Sequence, residues 1–132
     1  MKTHFTVTGV VKYKDKILIL HRQKDDYNYP DKWSFCSGFV KEFEPAEKSV
    51  LREIKEETGL SCKITKTGKS VEVIDRRNAK RWIVACYLCK AKTTKVKLCS
   101  ENIDFRWVTL KELKNYKFVP GLAKDLRTLG LI

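Results

Sequence analysis

Between Gly38 and Leu60 the chain carries Glu44, Arg52, Glu53, Glu56 and Glu57, four carboxylates and a guanidinium at fixed spacing. The run reads G-x5-E-x7-R-E-U-x-E-E-x-G-U, where U is a bulky aliphatic residue. On a helix, at about 100° per residue, Glu53, Glu56 and Glu57 fall within about 100° of one another. Like charges at i,i+3 and i,i+4 cost a helix roughly 0.2–0.5 kcal/mol per pair. A solvated acidic face tolerates that cost, and these three glutamates alone would fit one. Clustered carboxylate oxygens are also what hard divalent cations require. Mg²⁺ takes one or two protein carboxylates and completes its shell with water or phosphate oxygens.

The elements that must hold these groups are legible around them. Pro45 suits the first position of a helix, where its missing N–H has no intrahelical partner to lose. Gly59 follows Thr58 and can adopt the left-handed conformation that ends a helix. Val50, Leu51 and Ile54 form an apolar stripe that should face a core. Glu44 lies at the helix N-terminus, where negative charge is favoured. Arg52 can pair with carboxylates bidentately and hold one in position. Upstream, Phe5 to Lys12 and Ile17 to Arg22 read as strands around a turn at Tyr13–Lys16. Residues 25–32 read as a loop. Trp33 to Val40 is strand-like and leads into the acidic run. Further strands are expected at about 62–74, 81–90 and 103–109, and helices over Leu110–Tyr116 and Gly121–Leu129. Strands on both sides of a central helix, with helices at the end, make an α/β arrangement.

The Gly38–Leu60 run resembles the Nudix box, the signature of hydrolases that cleave nucleoside diphosphates linked to another group. Seven of its positions are fixed to one residue type, so a chance match occurs at below about one starting point in 10⁸. The chain is similar to MutT-like Nudix hydrolases over most of its length. That resemblance implies an α/β/α sandwich around a mixed β-sheet. It also implies Mg²⁺ or Mn²⁺ held by Glu53, Glu56 and Glu57, with Glu101 and the Ser37 carbonyl completing the site. Water would attack phosphorus, with Glu53 as general base and Glu101 in reserve, and Arg52 would serve the catalytic group.

The flanks extend the resemblance. The family commonly places Pro-Gly-Gly before the box; here Cys36-Ser37-Gly38 stands there, and serine adopts positive φ less readily than glycine. Ser100 to Val108 resembles the segment that brings another carboxylate before a tryptophan-bearing strand. Glu101 fits it, and Asp104 competes. Arg22, ending its strand, matches a basic residue that meets substrate phosphate. Trp33 and Phe35 share a strand face by parity and could stack on a base, beside Gly38 at the start of the box.

Composition sets outer limits. A chain of 132 residues is expected to form one domain, residues 1–132. Lys and Arg total 28 against 16 Asp and Glu, a net charge of +12 that attracts nucleotides, nucleic acid or anionic surfaces. Five cysteines, an odd number without a disulfide framework, suggest a reducing compartment. Cys86-x-x-Cys89 falls in a strand, where residues three apart face opposite sides and cannot chelate together. No apolar run approaches the ~18 residues of a membrane span. A cytoplasmic protein, monomer or homodimer, without a membrane partner is the expectation.

The substrate is less constrained. The markers of ADP-ribose and dinucleoside polyphosphate hydrolases fall on Asp75, Arg77 and Asn78, which do not match them. The asparagine that MutT enzymes use for oxidised guanine has no counterpart in Lys117–Gly121; the nearest is Asn115. A nucleoside triphosphate is the leading expectation. ADP-ribose, a dinucleoside polyphosphate and an RNA 5′ end are alternatives. A Nudix-fold sensor that binds a nucleotide or RNA without cleaving it is the alternative of a different class.

Overall fold

The computed structural model describes residues 1–27 and 29–132. Eight strands and two α-helices follow in the order β1 (Lys2–Tyr13), β2 (Lys16–Arg22), β3 (Trp33–Ser34), β4 (Cys36–Phe39), α1 (Ala46–Thr58), β5 (Cys62–Thr67), β6 (Val71–Asp75), β7 (Lys80–Ala91), β8 (Asn102–Val108) and α2 (Leu122–Thr128). A 3-10 helix, Leu110–Asn115, lies between β8 and α2.

The sheet is mixed. β1 and β7 run parallel along their full length, from Lys2↔Lys80 to Lys12↔Lys90. The other strand pairs are antiparallel: β4 on β1, β2 on β1, β3 and β8 on β2, and β5 and β6 on β7. Alternation along β1 sends Val7 and Val11 to one face and Val10 to the other. The first face packs on Val50 and Ile54 of α1. The second packs on Leu113 of the 3-10 helix and on Leu126 and Leu129 of α2. Helices therefore cover both faces of a mixed sheet, which is the α/β/α sandwich. Gly9 lets α1 approach closely: a Cβ there would lie 2.9 Å from both Ile54 Cδ1 and Val50 Cγ2.

Several boundaries differ from the sequence reading. The strand expected at Trp33–Val40 breaks at Phe35, because β3 pairs with β2 while β4 pairs with β1. The strand expected at 62–74 is two strands. Thr67 pairs with Tyr87 and Val71 with Val84, and the chain between them advances past Gly68, whose Cβ would meet Thr128 Cγ2 at 2.8 Å. Pro45 stands one residue outside α1, extended at φ −61° and ψ 144°, and Gly59 caps its end at φ 75°. Cys86 and Cys89 lie on opposite faces of β7, one in each core, as the strand period requires. No helix is long and apolar enough to cross a membrane among the described residues.

Candidate active site

The helix α1 begins beside a cluster built on one guanidinium. Arg52 Nε donates to Glu44 Oε2 at 2.9 Å and Nη2 donates to Glu44 Oε1 at 2.9 Å, a bidentate pair. Ser49 Oγ donates to the same carboxylate at 2.6 Å. These bonds hold the Glu44 carboxyl down at about 2, Arg52 being the larger cause and Ser49 the next. Arg52 Nη1 reaches Glu53 Oε1 at 2.9 Å and Glu56 Oε2 at 3.2 Å. Three glutamates, far apart and near in sequence, are thus oriented by one planar donor, and its own affinity for the proton rises accordingly.

Glu53 and Glu57 turn from this cluster toward a cavity of about 410 Å³, which Glu101 and Arg22 also line. Glu57 is buried, and its Oε1 accepts the Ser37 N–H at a long 3.4 Å. Burial pushes its carboxyl well above the usual range, and the nearby Glu53 charge pushes the same way. Glu53 is raised too, first by burial; Arg52 opposes the shift, while Glu56 and Glu101 add to it. Glu101 sits on a loop tied to the end of β2: Gln23 N–H donates to the Glu101 carbonyl and Gln23 Nε2 to the Ser100 carbonyl. Arg22 donates to Asp26 Oδ2 at 2.9 Å, while its buried Nε has no partner among the described residues.

Gly38 lies on the cavity wall for a steric reason. A Cβ at this position would fall 2.1 Å from Glu53 Cδ, so the carboxylate rests against bare backbone. Ser37 precedes it within β4, paired with Thr8. Its backbone is not in the positive-φ region, so the serine costs the strand nothing there. Serine's reluctance to take positive φ therefore has no bearing at this position.

The other expected residues divide. Phe35 is buried and lines the cavity. Trp33 does not reach it: its ring stacks on His21 at 4.5 Å and meets Tyr116 edge-on at 5.0 Å. The two residues do share a face, both packing in the core toward α2, but only Phe35 reaches the cavity wall. Glu56 is exposed and points to Arg52 rather than into the cavity. Asp104 is engaged by Arg106 on β8 and is not on the cavity wall. Among the described residues no three His, Cys, Asp or Glu side chains stand close enough to chelate an ion as placed. The donor set still suits a hard cation. Glu53, Glu57 and Glu101 supply oxygens around one cavity, and Glu53 and Glu57 bear mutual repulsion that a cation would relieve.

Beyond the acid end, the cavity passes the β4 edge to the sheet face that packs on α2. Thr6, Thr8, Val73, Trp82, Val84 and Asp125 line it there. Trp82 Nε1 donates to the Tyr29 hydroxyl at 3.0 Å, and that hydroxyl donates to Asp75 Oδ2 at 2.9 Å. Burial, with the Asp75 bond second, raises the Tyr29 phenol to about 12. The sequence reading missed this end. One signal was available: Asp125 falls on the helical stripe of Leu122, Leu126 and Leu129, where an acid is out of place.

The NUDIX domain model matches residues 2–129. A nucleoside triphosphatase NudI from Escherichia coli O139:H28 is 30% identical over 137 aligned positions, which cover 96% of this chain and 97% of that protein. The fold is similar to the MutT NUDIX hydrolase from Burkholderia pseudomallei, with a TM-score of 0.84 at 21% identity, covering 98% of this chain and 99% of the other. It is also similar to the MutT protein from Methanosarcina mazei Go1, with a TM-score of 0.81 at 24% identity, covering 94% and 89%.

Proposed function

This chain belongs to the Nudix hydrolases, and on that premise we propose that it hydrolyses a phosphoanhydride bond of a nucleoside triphosphate by metal-assisted attack of water on phosphorus. The observation that carries the reading is the convergence of Glu53, Glu57, Glu101 and Arg22 on one cavity of about 410 Å³. That volume lies in the ordinary range for small-molecule sites. The name of the 30%-identical relative supports a triphosphate substrate.

Glu53, Glu57 and Glu101 would hold Mg²⁺ or Mn²⁺, with the Ser37 carbonyl as a further ligand and Glu56 joining by rotating off Arg52. When bound, such an ion offsets phosphate charge and lowers the pKa of water. Arg22 binds the phosphate from its place on the cavity wall, where a guanidinium can meet anionic oxygens. Glu53 accepts the proton of the attacking water. Its Oε1 is fixed by Arg52 and its Oε2 has no hydrogen bond among the described residues. Burial moves its pKa upward, toward the range in which a carboxylate is an effective base. Glu101 takes that role if Glu53 serves only as a ligand. Arg52 touches neither phosphate nor water in this scheme and acts as a positioning residue.

The test is phosphate or pyrophosphate release with Mg²⁺ across nucleoside triphosphates, ADP-ribose, dinucleoside polyphosphates and 5′-triphosphorylated RNA. Turnover concentrated in the triphosphates is expected. Binding without turnover across the whole panel would instead identify a nucleotide sensor.

A further inference from the structure

A chain of hydrogen bonds leads from Arg22 on the cavity wall to Asp75 outside it. Arg22 Nη2 donates to Asp26 Oδ2 at 2.9 Å, and Asp26 Oδ1 accepts the Tyr29 N–H at 3.0 Å. The Tyr29 side chain then reaches across to β6 and β7. Its hydroxyl donates to Asp75 Oδ2 at 2.9 Å, at the end of β6, and accepts Trp82 Nε1 at 3.0 Å from β7. Asp75 is itself held by its own turn: Oδ1 accepts the Asn78 N–H at 3.2 Å and Oδ2 accepts Asn78 Nδ2 at 2.8 Å. Asn78 is also the first cause that keeps the Asp75 carboxyl below its ordinary value, while burial keeps the Tyr29 phenol protonated up to about 12. The bond between them therefore joins a neutral donor to an ionised acceptor, the stronger kind. Arg22, Asp26, Tyr29 and Trp82 line the cavity, and Asp75 does not.

We infer that Tyr29 and Asp75 are positioning residues for Arg22: the bond between them sets the place of Asp26 and so the aim of the phosphate-binding guanidinium. The inference rests on the reading of Arg22 given above. A carboxylate beside an arginine subtracts from its attraction for an anion, so Asp26 contributes orientation rather than charge. It holds one guanidinium nitrogen and thereby limits the sweep of a long side chain, which lowers the cost of ordering it around a ligand. That orientation is only as good as the position of Asp26 itself. Asp26 lies outside the strands, between β2 and β3, where the sheet ladder does not fix it. The Tyr29 hydroxyl supplies a tie from this segment to two strands at once. Lys80 over the Tyr27 ring, at 4.9 Å, is a second tie to β7, but Tyr27 is 92% exposed and such a contact is weak in water. Asp75, which matched no substrate marker in the sequence, thus acts on the site through two intermediates.

The experiment compares wild type with Y29F, D75A, R22Q and the double variant Y29F/R22Q. Each is measured for calorimetric binding of inorganic triphosphate with Mg²⁺ and for steady-state turnover of ATP, GTP, CTP and UTP. Y29F is expected to weaken triphosphate binding about tenfold, the scale of one lost hydrogen bond to a charged group. KM should rise by a similar factor with kcat kept within about threefold, the signature of lost binding rather than lost chemistry. D75A should match Y29F. In the R22Q background Y29F should cost less than about twofold more, because groups that act through one guanidinium are not additive. A merely structural role would leave the two effects additive. Binding unchanged in either Y29F or D75A, or a full tenfold loss from Y29F on top of R22Q, would overturn the inference and leave the Arg22 reading standing. R22Q binding as wild type does, or no triphosphate binding by wild type, would remove both. The expected binding pattern without turnover of any of the four nucleotides keeps the inference and removes hydrolysis.

Discussion

The two ends of the cavity handle buried polarity in opposite ways. At the α1 end, carboxylates are numerous and tied together: Arg52 bridges Glu44, Glu53 and Glu56, and only Glu57 is buried with a single weak donor. At the α2 end, polarity is sparse: Asp125 meets only a thiol, and two threonine hydroxyls meet nothing described. A guanidinium fixes geometry before any ligand arrives, which suits chemistry that tolerates little displacement. Open acceptors and hydroxyls are satisfied only when a ligand supplies the missing partners, which suits discrimination. One cavity thus holds a rigid acidic end and an end whose polar groups are unsatisfied.

Substitutions at the α1 end test the rigid half, and Glu57 should show the largest effect. Glu57→Gln keeps the shape of a buried side chain but removes a charge that burial and Glu53 both oppose. Turnover should fall by roughly 10²–10³-fold, the scale for losing one group that offsets transition-state charge. Thermal stability should rise, because the neutral amide does not carry the desolvation cost. A large loss of stability would show that Glu57 is instead an internal structural partner. Glu56→Gln sharpens the point, since Glu56 lies outside the cavity as placed. Turnover unchanged at saturating Mg²⁺ would remove it from the ligand set.

Gly38→Ala should follow, at up to about 10²-fold in kcat, the scale reached when a reacting group moves by about 1 Å. The new methyl would occupy the space of the Glu53 carboxylate, whose flexible end must swing away. Nucleotide binding should change far less than kcat. If kcat is kept, Glu53 does not act from its present position. Arg52→Lys comes next, at about 10–100-fold, the usual cost of losing a group that orients ligands. A lysine ammonium cannot meet Glu44 bidentately and also reach Glu53 and Glu56. Its pH–rate profile should shift with the loss, because Arg52 opposes the upward shift of Glu53. An unshifted profile would confine Arg52 to helix stability.

The two ends also differed in how far sequence could reach them. The α1 end was legible because one contiguous run carries its helix, cap residues, carboxylates and guanidinium, and helical periodicity alone groups them. Glu101 and Arg22 needed the family resemblance, and the structure brings both to the cavity. The α2 end draws on β1, β6, β7 and α2, whose register depends on pairings that no local pattern encodes. Parity rightly placed Trp33 and Phe35 on one face, but it could not say that only Phe35 lines the cavity. The fold class, by contrast, followed from the resemblance rather than from periodicity, which could not distinguish one strand at 62–74 from two.

The smallest effect expected is on stability, at the α2 end. Asp125 has its carboxyl raised from 3.8 to about 6, by burial, with the Cys86 bond opposing. Below the unfolded value both states are protonated and the contribution to stability is whole. As pH rises through about 4 to 6, the unfolded chain releases its proton first, so the folded state loses ground. Above about 6 the loss is complete, at most about 3 kcal/mol for a shift of roughly two units at 1.36 kcal/mol each. Water entering the cavity will reduce this to about 1 kcal/mol, or a few degrees in Tm. D125N cannot ionise, so melting curves between pH 4 and 7 should show wild type falling relative to the variant as pH rises. Parallel curves would mean that the carboxylate is already well solvated or paired in the folded protein. It would then lack the unsatisfied acceptor that separates this end of the cavity from the other.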